Sequence, residues 1–423
     1  MRMPAQAEVE VNMSDVIRNT IDNLYDRTFQ AGLKVFNNVL DYRLPSYIEG
    51  AGTVRKAASL LKERGYTSVF VVTDPSLLKI GLPDAMLQSL KDSHISVTLY
   101  SGVQPNPTVS NVEEGLKLYL QHKGQAIIAF GGGSVMDCAK AIASRSLHPH
   151  RSVLQLQGIL KVHRKLPFLI AIPTTAGTGS ETTAAAVITD EKTHHKASIN
   201  DPIIIPAYAI LDPELTVGLP PQTTATTGLD ALCHAVEAYT NKTYNTELED
   251  ELAREAVRLI HENLYTAYQD GSNLKAREEM QRAAFFAGRA FTRGMVGNVH
   301  AVGHTLSGLY GMPHGLAMSI LLPHVLRQYG SAVYDRLSEL ADVCGIDGVT
   351  KAMKAQNFIR WIEDMKVKMN IPEKTDVIKE EDIPQIIAWA EKEANPLYPV
   401  PVIWHKEDYE KLLHRVMVKG KEE

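Results

Sequence analysis

The residues best suited to chemistry are four histidines and one aspartate. Asp230 and His234 lie in Gly228-Leu-Asp-Ala-Leu-Cys-His234, while His300 and His304 precede a third histidine, His314, in Met312-Pro-His314. The stretch from Thr226 to Tyr239 has helical periodicity, and a separation of four puts Asp230 and His234 on one helix face, close enough to share an ion. His300 and His304 repeat that separation, and His314 follows past a Gly308-Leu-Tyr-Gly311 turn. One carboxylate with several imidazoles suits iron or zinc, both of which accept nitrogen and oxygen ligands. Asp230 with His234 alone would read as an exposed ion pair. The further histidines make a catalytic metal centre the better reading. Cys233 points about 100° away from His234 around the helix and is expected to pack in the core.

Such a cluster needs rigid elements to hold it. From Pro45 the chain alternates short apolar runs with amphipathic stretches. Ser68 to Thr73, Ile95 to Tyr100, Ala126 to Phe130 and Phe168 to Ile172 read as buried strands, with helices at Val54 to Arg64 and Asn111 to Gln121. Strands and helices at this spacing predict parallel strands joined by crossover helices. Ala184 to Thr189, Lys196 to Ile199 and Ala207 to Leu211 are expected to complete that sheet. After Gly218, Pro220 and Pro221 the strand signals fade into long helical segments, such as Leu248 to Tyr268 and Leu274 to Phe291. The expected architecture is a helical extension (1–44), a Rossmann-like α/β nucleotide-binding domain (45–218) and an all-helical domain carrying the metal (219–423). In the extension, Val16, Ile17, Ile21, Leu24 and Tyr25 form an apolar stripe of amphipathic helices. The Lys/Glu-rich end, Lys419 to Glu423, is expected to be disordered.

Two loops are shaped for a dinucleotide. The strand Ala126 to Phe130 runs into Gly131-Gly-Gly-Ser134 and then a helix; glycines let backbone amides approach a pyrophosphate, which the helix N-terminus favours electrostatically. Ser134 with Asp137 three residues on resembles a capping box, which explains Asp137 without catalysis. Gly50-Ala-Gly52 imitates a dinucleotide fingerprint but carries Arg55 at the third glycine position, so it reads as a tight turn. The second loop, Pro173-Thr-Thr-Ala-Gly-Thr-Gly-Ser-Glu181, is rich in hydroxyls and follows a strand, where open α/β sheets bind ligands. Asp74, ending the strand Ser68 to Thr73, either accepts the ribose hydroxyls of an adenosine or caps the next helix.

Composition narrows the alternatives. The 423 residues are 44% hydrophobic and 22% charged, enough for full cores in a soluble protein. A net charge of −5 offers no basic surplus for nucleic acid. No apolar run is long enough to span a bilayer, and Met1 to Asn12 does not read as a secretory leader. Cys138, Cys233 and Cys344 are an odd, scattered set, as expected for reduced thiols in a cytoplasm.

Three signatures together resemble the iron-containing (group III) alcohol dehydrogenase family: Gly131-Gly-Gly-Ser-Val-Met-Asp-Cys-Ala-Lys140, Ile172-Pro-Thr-Thr-Ala-Gly-Thr-Gly-Ser-Glu181 and Gly228-Leu-Asp-Ala-Leu-Cys-His-Ala-Val-Glu237, the last joined by His300, His304 and His314. The resemblance covers the chain from about Pro45. It implies Asp230, His234, His300 and His314 as ligands of Fe2+, or of zinc. It also implies NAD contacts from Asp74, Asn106, Gly132, Gly133, Ser134, Thr174, Thr175, Thr178 and Lys196; Asn106 and Lys196 come from the resemblance alone. The acid at Asp74 is the variant associated with NAD rather than NADP. The implied reaction is reversible hydride transfer between NAD and a small primary alcohol or diol, in a homodimer or larger homo-oligomer. His304 is then a proton relay or a residue that orients a ligand. Glu237, on the face of His234, reads as a ligand's partner, and Phe291 as a wall of the substrate pocket or a plain core aromatic. The alternatives are a glycerol dehydrogenase or dehydroquinate synthase-like relative, and a non-catalytic scaffold whose N-terminal helices recruit a partner.

Overall fold

A computed structural model describes residues 13–122, 124–193 and 196–418; the first twelve residues and the expected disorder of Lys419 to Glu423 lie outside it. Its strands are β1 (Ser46–Glu49), β2 (Ser68–Val72), β3 (Ser96–Tyr100), β4 (Ala126–Gly131), β5 (Gly158–Ile159), β6 (Phe168–Pro173), β7 (Ala185–Thr189), β8 (Lys196–Asn200) and β9 (Tyr208–Leu211). The helices before and between them are α1 (Met13–Asn37), α2 (Lys56–Lys62), α3 (Pro75–Lys79), α4 (Asp84–Asp92), α5 (Val109–His122) and α6 (Gly133–Ser146). After β9 come α7 (Pro221–Asn241), α8 (Glu247–Gln269), α9 (Leu274–Gly294), α10 (Asn298–Tyr310), α11 (His314–Tyr329), α12 (Tyr334–Val343), α13 (Lys351–Lys368), α14 (Ile383–Ala394) and α15 (Lys406–Val416).

The expected parallel sheet is present, with strand order β1-β9-β6-β4-β2-β3 and every pairing parallel. Its inner strands β2, β4, β6 and β9 are near-continuous apolar runs because both faces are covered. Ile95 to Tyr100, expected as a buried strand, instead forms the edge strand β3, with Ser96 and Leu99 exposed because no described strand pairs beyond it. Alternate residues of one strand point to opposite faces. Phe70, Val72, Ile127 and Ala129 therefore join the core under α5 and α6, while Val69, Val71, Ile128 and Phe130 join the core under α2 and α4.

A second strand expectation is corrected. β7 and β8 do not complete the main sheet; they pair antiparallel with each other, and β8 takes the short β5 on its other side. Only β9 enters the main sheet, between β1 and β6. The hairpin of β7 and β8 is fastened to α6 instead: Lys140 pins its entrance, donating to the carbonyls of Thr183 and Ala185, each at 3.0 Å.

The helices from α7 onward share one large apolar core. Their only β pairing among the described residues is an isolated bridge between Thr375 and Met417. No helix of the described residues is long and apolar enough to cross a membrane.

Among the described residues the N-terminal segment holds one helix, α1, and its apolar stripe from Ile17 onward is turned outward; the side chain of Val16 lies outside the described residues. Ile17, Ile21, Leu24 and Tyr25 are 55–70% exposed, whereas Asp26, Gln30 and Asn37 are buried. Polar docking explains the inversion: Gln30 Nε2 donates to the carbonyls of Pro396 (3.1 Å) and Tyr398 (2.9 Å), and Arg27 Nη2 to that of Val400 (2.9 Å).

Candidate metal centre and cofactor cleft

The sheet delivers its two loops to one place. β4 ends in Gly131 and β6 in Pro173, and Thr174 N donates to Gly131 O at 3.1 Å, so the glycine loop and the hydroxyl loop lie side by side. The contact leaves no room for larger residues: a Cβ on Gly133 would lie 2.6 Å from Thr178 Cγ2. Gly179 anchors the second loop to the helical part. Its φ of +60° is left-handed, and a Cβ there would lie 2.5 Å from Gly288 Cα on α9.

Asp137 is not the acid of a capping box. The N-cap of α6 is Gly132, with no side-chain cap, and Asp137 sits too deep in the helix to reach it. It accepts instead from Ser180 Oγ (2.7 Å) and Val187 N (3.0 Å). Lys140 Nζ, fully buried one turn on, donates to Ser180 Oγ (3.0 Å) and Thr183 Oγ1 (2.8 Å). Burial lowers its pKa to about 8, against the opposing pull of Asp137 and Glu181. The two residues fasten α6 to the hydroxyl loop, a link that local spacing could not reveal.

The metal-type residues converge from three helices. α7 supplies Asp230 and His234, α10 supplies His300 and His304, and His314 opens α11 after the left-handed Gly311. The expected turn at Gly308 to Gly311 is thus the last turn of α10 and its cap. One donor atom from each of Asp230, His234, His300 and His314 lies within 4.8 Å of all the others. His300 Nε2 is 3.0 Å from His234 Nε2, and Asp230 Oδ1 is 3.4 Å from His314 Nε2. Burial pushes His234 down to about 3 and holds His300 and His314 well below the ordinary histidine value. The rings are therefore neutral at pH 7, the form that binds a cation.

The donor set fits a metal ion. Asp230 Oδ1 is buried and has no hydrogen-bond partner, a costly state unless a cation completes it. Two imidazole nitrogens at hydrogen-bond distance would direct their lone pairs at a shared centre. His300 Nδ1, on the far side of the ring, is 2.5 Å from Glu237 Oε2, and Glu237 also accepts from Val299 N at 2.8 Å. This fixes the ring's orientation and leaves Nε2 facing the cluster. Burial raises the Glu237 carboxyl to about 8. Cys233 is buried as expected, yet not remote from the cluster: its Sγ lies 3.9 Å from His300 Nδ1, behind the ring and away from Nε2.

A cleft of about 240 Å³ runs from this cluster outward. His234, His300, His304 and His314 line it, as do Asn106, Gly133, Ser134, Thr178 and Lys196. Asp74, Gly132, Thr174 and Thr175 stand outside it. Asp74 is the N-cap of α3, accepting from Ser76 N (2.9 Å) and Leu77 N (3.0 Å), which realises its capping alternative and leaves Oδ2 free of these bonds. Phe291 lies on the His234 ring at 4.2 Å and also faces the cleft. His304 stacks on His314 at 5.2 Å, and its Nδ1 is 2.6 Å from Glu393 Oε1. Tyr398 donates to the same oxygen at 2.9 Å. Burial raises the Glu393 pKa, but His304 and the bonds from His304 and Tyr398 outweigh it and leave the carboxyl below its ordinary value. Glu393 and Tyr398 were missed in the sequence because they come from the far end of the chain with no recognisable spacing.

Residues 45–213 match the family model of the iron-containing alcohol dehydrogenases, and residues 224–417 match that of the family's C-terminal part. Alcohol dehydrogenase 4 of Schizosaccharomyces pombe is 37% identical over 85% of this chain and 86% of its own length. The 1,3-propanediol dehydrogenase of Klebsiella pneumoniae is 37% identical over 84% of this chain and 94% of its own. Among solved structures, an alcohol dehydrogenase from Oenococcus oeni superposes with a TM-score of 0.85 at 34% identity, covering 89% of this chain and all (100%) of that one. The chain belongs to the iron-containing alcohol dehydrogenase family, and it is an alcohol oxidoreductase.

Proposed function

We propose that this chain is a metal-dependent, NAD-linked dehydrogenase of primary alcohols or diols, working in either direction, with Asp230, His234, His300 and His314 holding one iron or zinc ion. The observation that carries the reading is the convergence of those four donor groups around an unpartnered, buried Asp230 Oδ1. An ion held there would act as a Lewis acid on the alcohol or carbonyl oxygen. NAD would serve as hydride acceptor, with Asn106, Gly132, Gly133, Ser134, Thr174, Thr175, Thr178 and Lys196 as its proposed contacts. Among relatives, a methanol dehydrogenase of Bacillus methanolicus is NAD-dependent and a butanol dehydrogenase of Clostridium saccharobutylicum is NADPH-dependent. Asp74 supports NAD here, since a carboxylate at the end of β2 would repel a 2′-phosphate.

The chain's own residues do the rest. Glu237 orients His300, and Phe291 covers the His234 ring and keeps water from that side. His304 is proposed to take the alcohol proton at Nε2, because its Nδ1 is engaged by Glu393. Part of the same reading is a cytoplasmic, self-associating enzyme; the three cysteines are buried and unpaired, as suits a reducing compartment. The test is alcohol-dependent NADH formation by the iron- or zinc-loaded protein, with NADP as comparison. NADP should be the poorer acceptor, and Asp74→Asn, which keeps an N-cap side chain, should narrow the gap about tenfold or more. Equal use of both cofactors by the wild type would remove Asp74 from the scheme, and no turnover of any alcohol would remove the scheme itself.

A further inference from the structure

The cleft has a wall that neither family-matched segment supplies. The matches begin at residue 45, yet Leu33, Phe36 and Leu40, from α1 and the loop after it, line the same cavity as His300, His304 and His314. Ile159 and Leu160 at β5 and Pro202 line it too. The lining therefore combines the imidazoles and hydroxyls of the cluster with this apolar group, set among polar Asn37, Asn200 and Asp201.

This segment is pegged in place. Besides the bonds of Gln30 and Arg27, Arg293 Nη2 donates to Asn38 Oδ1 at 2.7 Å and Arg289 Nη2 to Tyr42 O at 2.8 Å. Buried Asn37 accepts from Tyr42 OH at 3.0 Å. Helix and loop are thus tied to the end of α9 that carries Phe291. Phe36 itself is 44% exposed, so its ring stands at the opening with apolar surface uncovered.

Building on the dehydrogenase reading, we propose that Leu33, Phe36 and Leu40 form an apolar vestibule for the substrate's tail. The preferred substrates are primary alcohols or aldehydes with an unbranched aliphatic chain of several carbons beyond the reacting carbon. A carbinol at the histidine cluster sends its chain outward along the cleft, and these side chains are what it meets. Each methylene buried there should raise kcat/KM about fourfold, the value of removing one CH2 from water.

The test is a kcat/KM series with NAD on the metal-loaded, full-length protein, using primary alcohols from ethanol to octanol. In the wild type, kcat/KM should climb about fourfold per carbon over at least three carbons. Phe36→Ser and Leu33→Ser, two independent variants in case one folds poorly, should each lower the hexanol-to-ethanol ratio at least fivefold while the KM for NAD stays within twofold. A wild-type series that is flat or falls with length overturns the vestibule, as does a ratio unmoved in both variants. A shift in the KM for NAD with the ratio unchanged also overturns it, by assigning these residues to the cofactor. Turnover of ethanol with an unmoved ratio defeats the vestibule alone, whereas no NADH from any alcohol defeats the dehydrogenase reading and the vestibule together.

Discussion

Two helical parts of the molecule border the cleft, and they are assembled by opposite rules. In α7, α10 and α11 the apolar residues are buried and the chemistry sits at one seam, where Asp230, His234, His300 and His314 meet. In α1 the apolar stripe of Ile17, Ile21, Leu24 and Tyr25 faces out, and Asp26, Gln30 and Asn37 are the buried residues. Periodicity shows that a helix exists and that its faces differ. It does not show which face is inside when the partner is a loop of free carbonyls, as 396–400 is for α1.

The largest effect should come from the seam. His234→Ala or His314→Ala should lose the metal and all measurable turnover, exceeding the about 10–100-fold cost of removing a ligand's hydrogen-bond partner. Metal analysis beside an activity assay checks this; a variant that keeps both its ion and most of its activity breaks the four-ligand assignment. Next is His304→Gln. If His304 moves the proton, kcat falls about 10²-fold or more with metal retained, and the deficit shrinks as pH rises because hydroxide and water take over. If it only orients a ligand, metal binding weakens and the deficit hardly changes with pH. Metal content and a pH–rate profile on one preparation separate the two.

The next predictions concern α1. Gln30→Leu leaves two carbonyls without their donor and should cost about 1–3 kcal/mol, whereas Leu24→Ser on the outward stripe should stay within about 0.5 kcal/mol. Urea melts of both variants test the inversion directly, and the opposite order would mean that the stripe is the buried face. The smallest effect is one of pH. Burial, with Asp22 adding to it, raises the Asp26 pKa. A carboxyl raised on folding binds its proton more tightly in the native state, so stability falls as pH climbs from the unfolded value through the raised one. Asp26→Asn should therefore melt slightly higher than wild type at pH 7, by less than about 1 kcal/mol, and the difference should vanish below pH 4. A variant that melts lower at pH 7 would show that the charge is used.

Much of this was legible in the residues. The strands β2, β4 and β6 announced themselves as apolar runs, though the same pattern did not show that β3 is a half-exposed edge, and the glycine loop after β4 declared its place at the sheet's carboxyl end. The four metal-type residues could be grouped because helix spacing and a turn constrain them locally. What stayed hidden depends on distant partners. Asp137 reads as a helix cap until β7 and the hydroxyl loop fold against it. β7 and β8 read as members of the main sheet because strand propensity carries no information about which edge a strand joins. Glu393 meets His304 only through the packing of α14 on α10, and nothing near Glu393 in the chain marks it.

The central claim is that one ion held by Asp230, His234, His300 and His314 enables alcohol oxidation. The most direct measurement strips the wild-type protein with a chelator and restores it anaerobically with iron or zinc, following bound metal and alcohol-dependent NADH formation together. The account predicts no turnover in the stripped protein and activity that rises in step with metal to a plateau at about one ion per chain. Full activity in protein shown to be free of metal would contradict it.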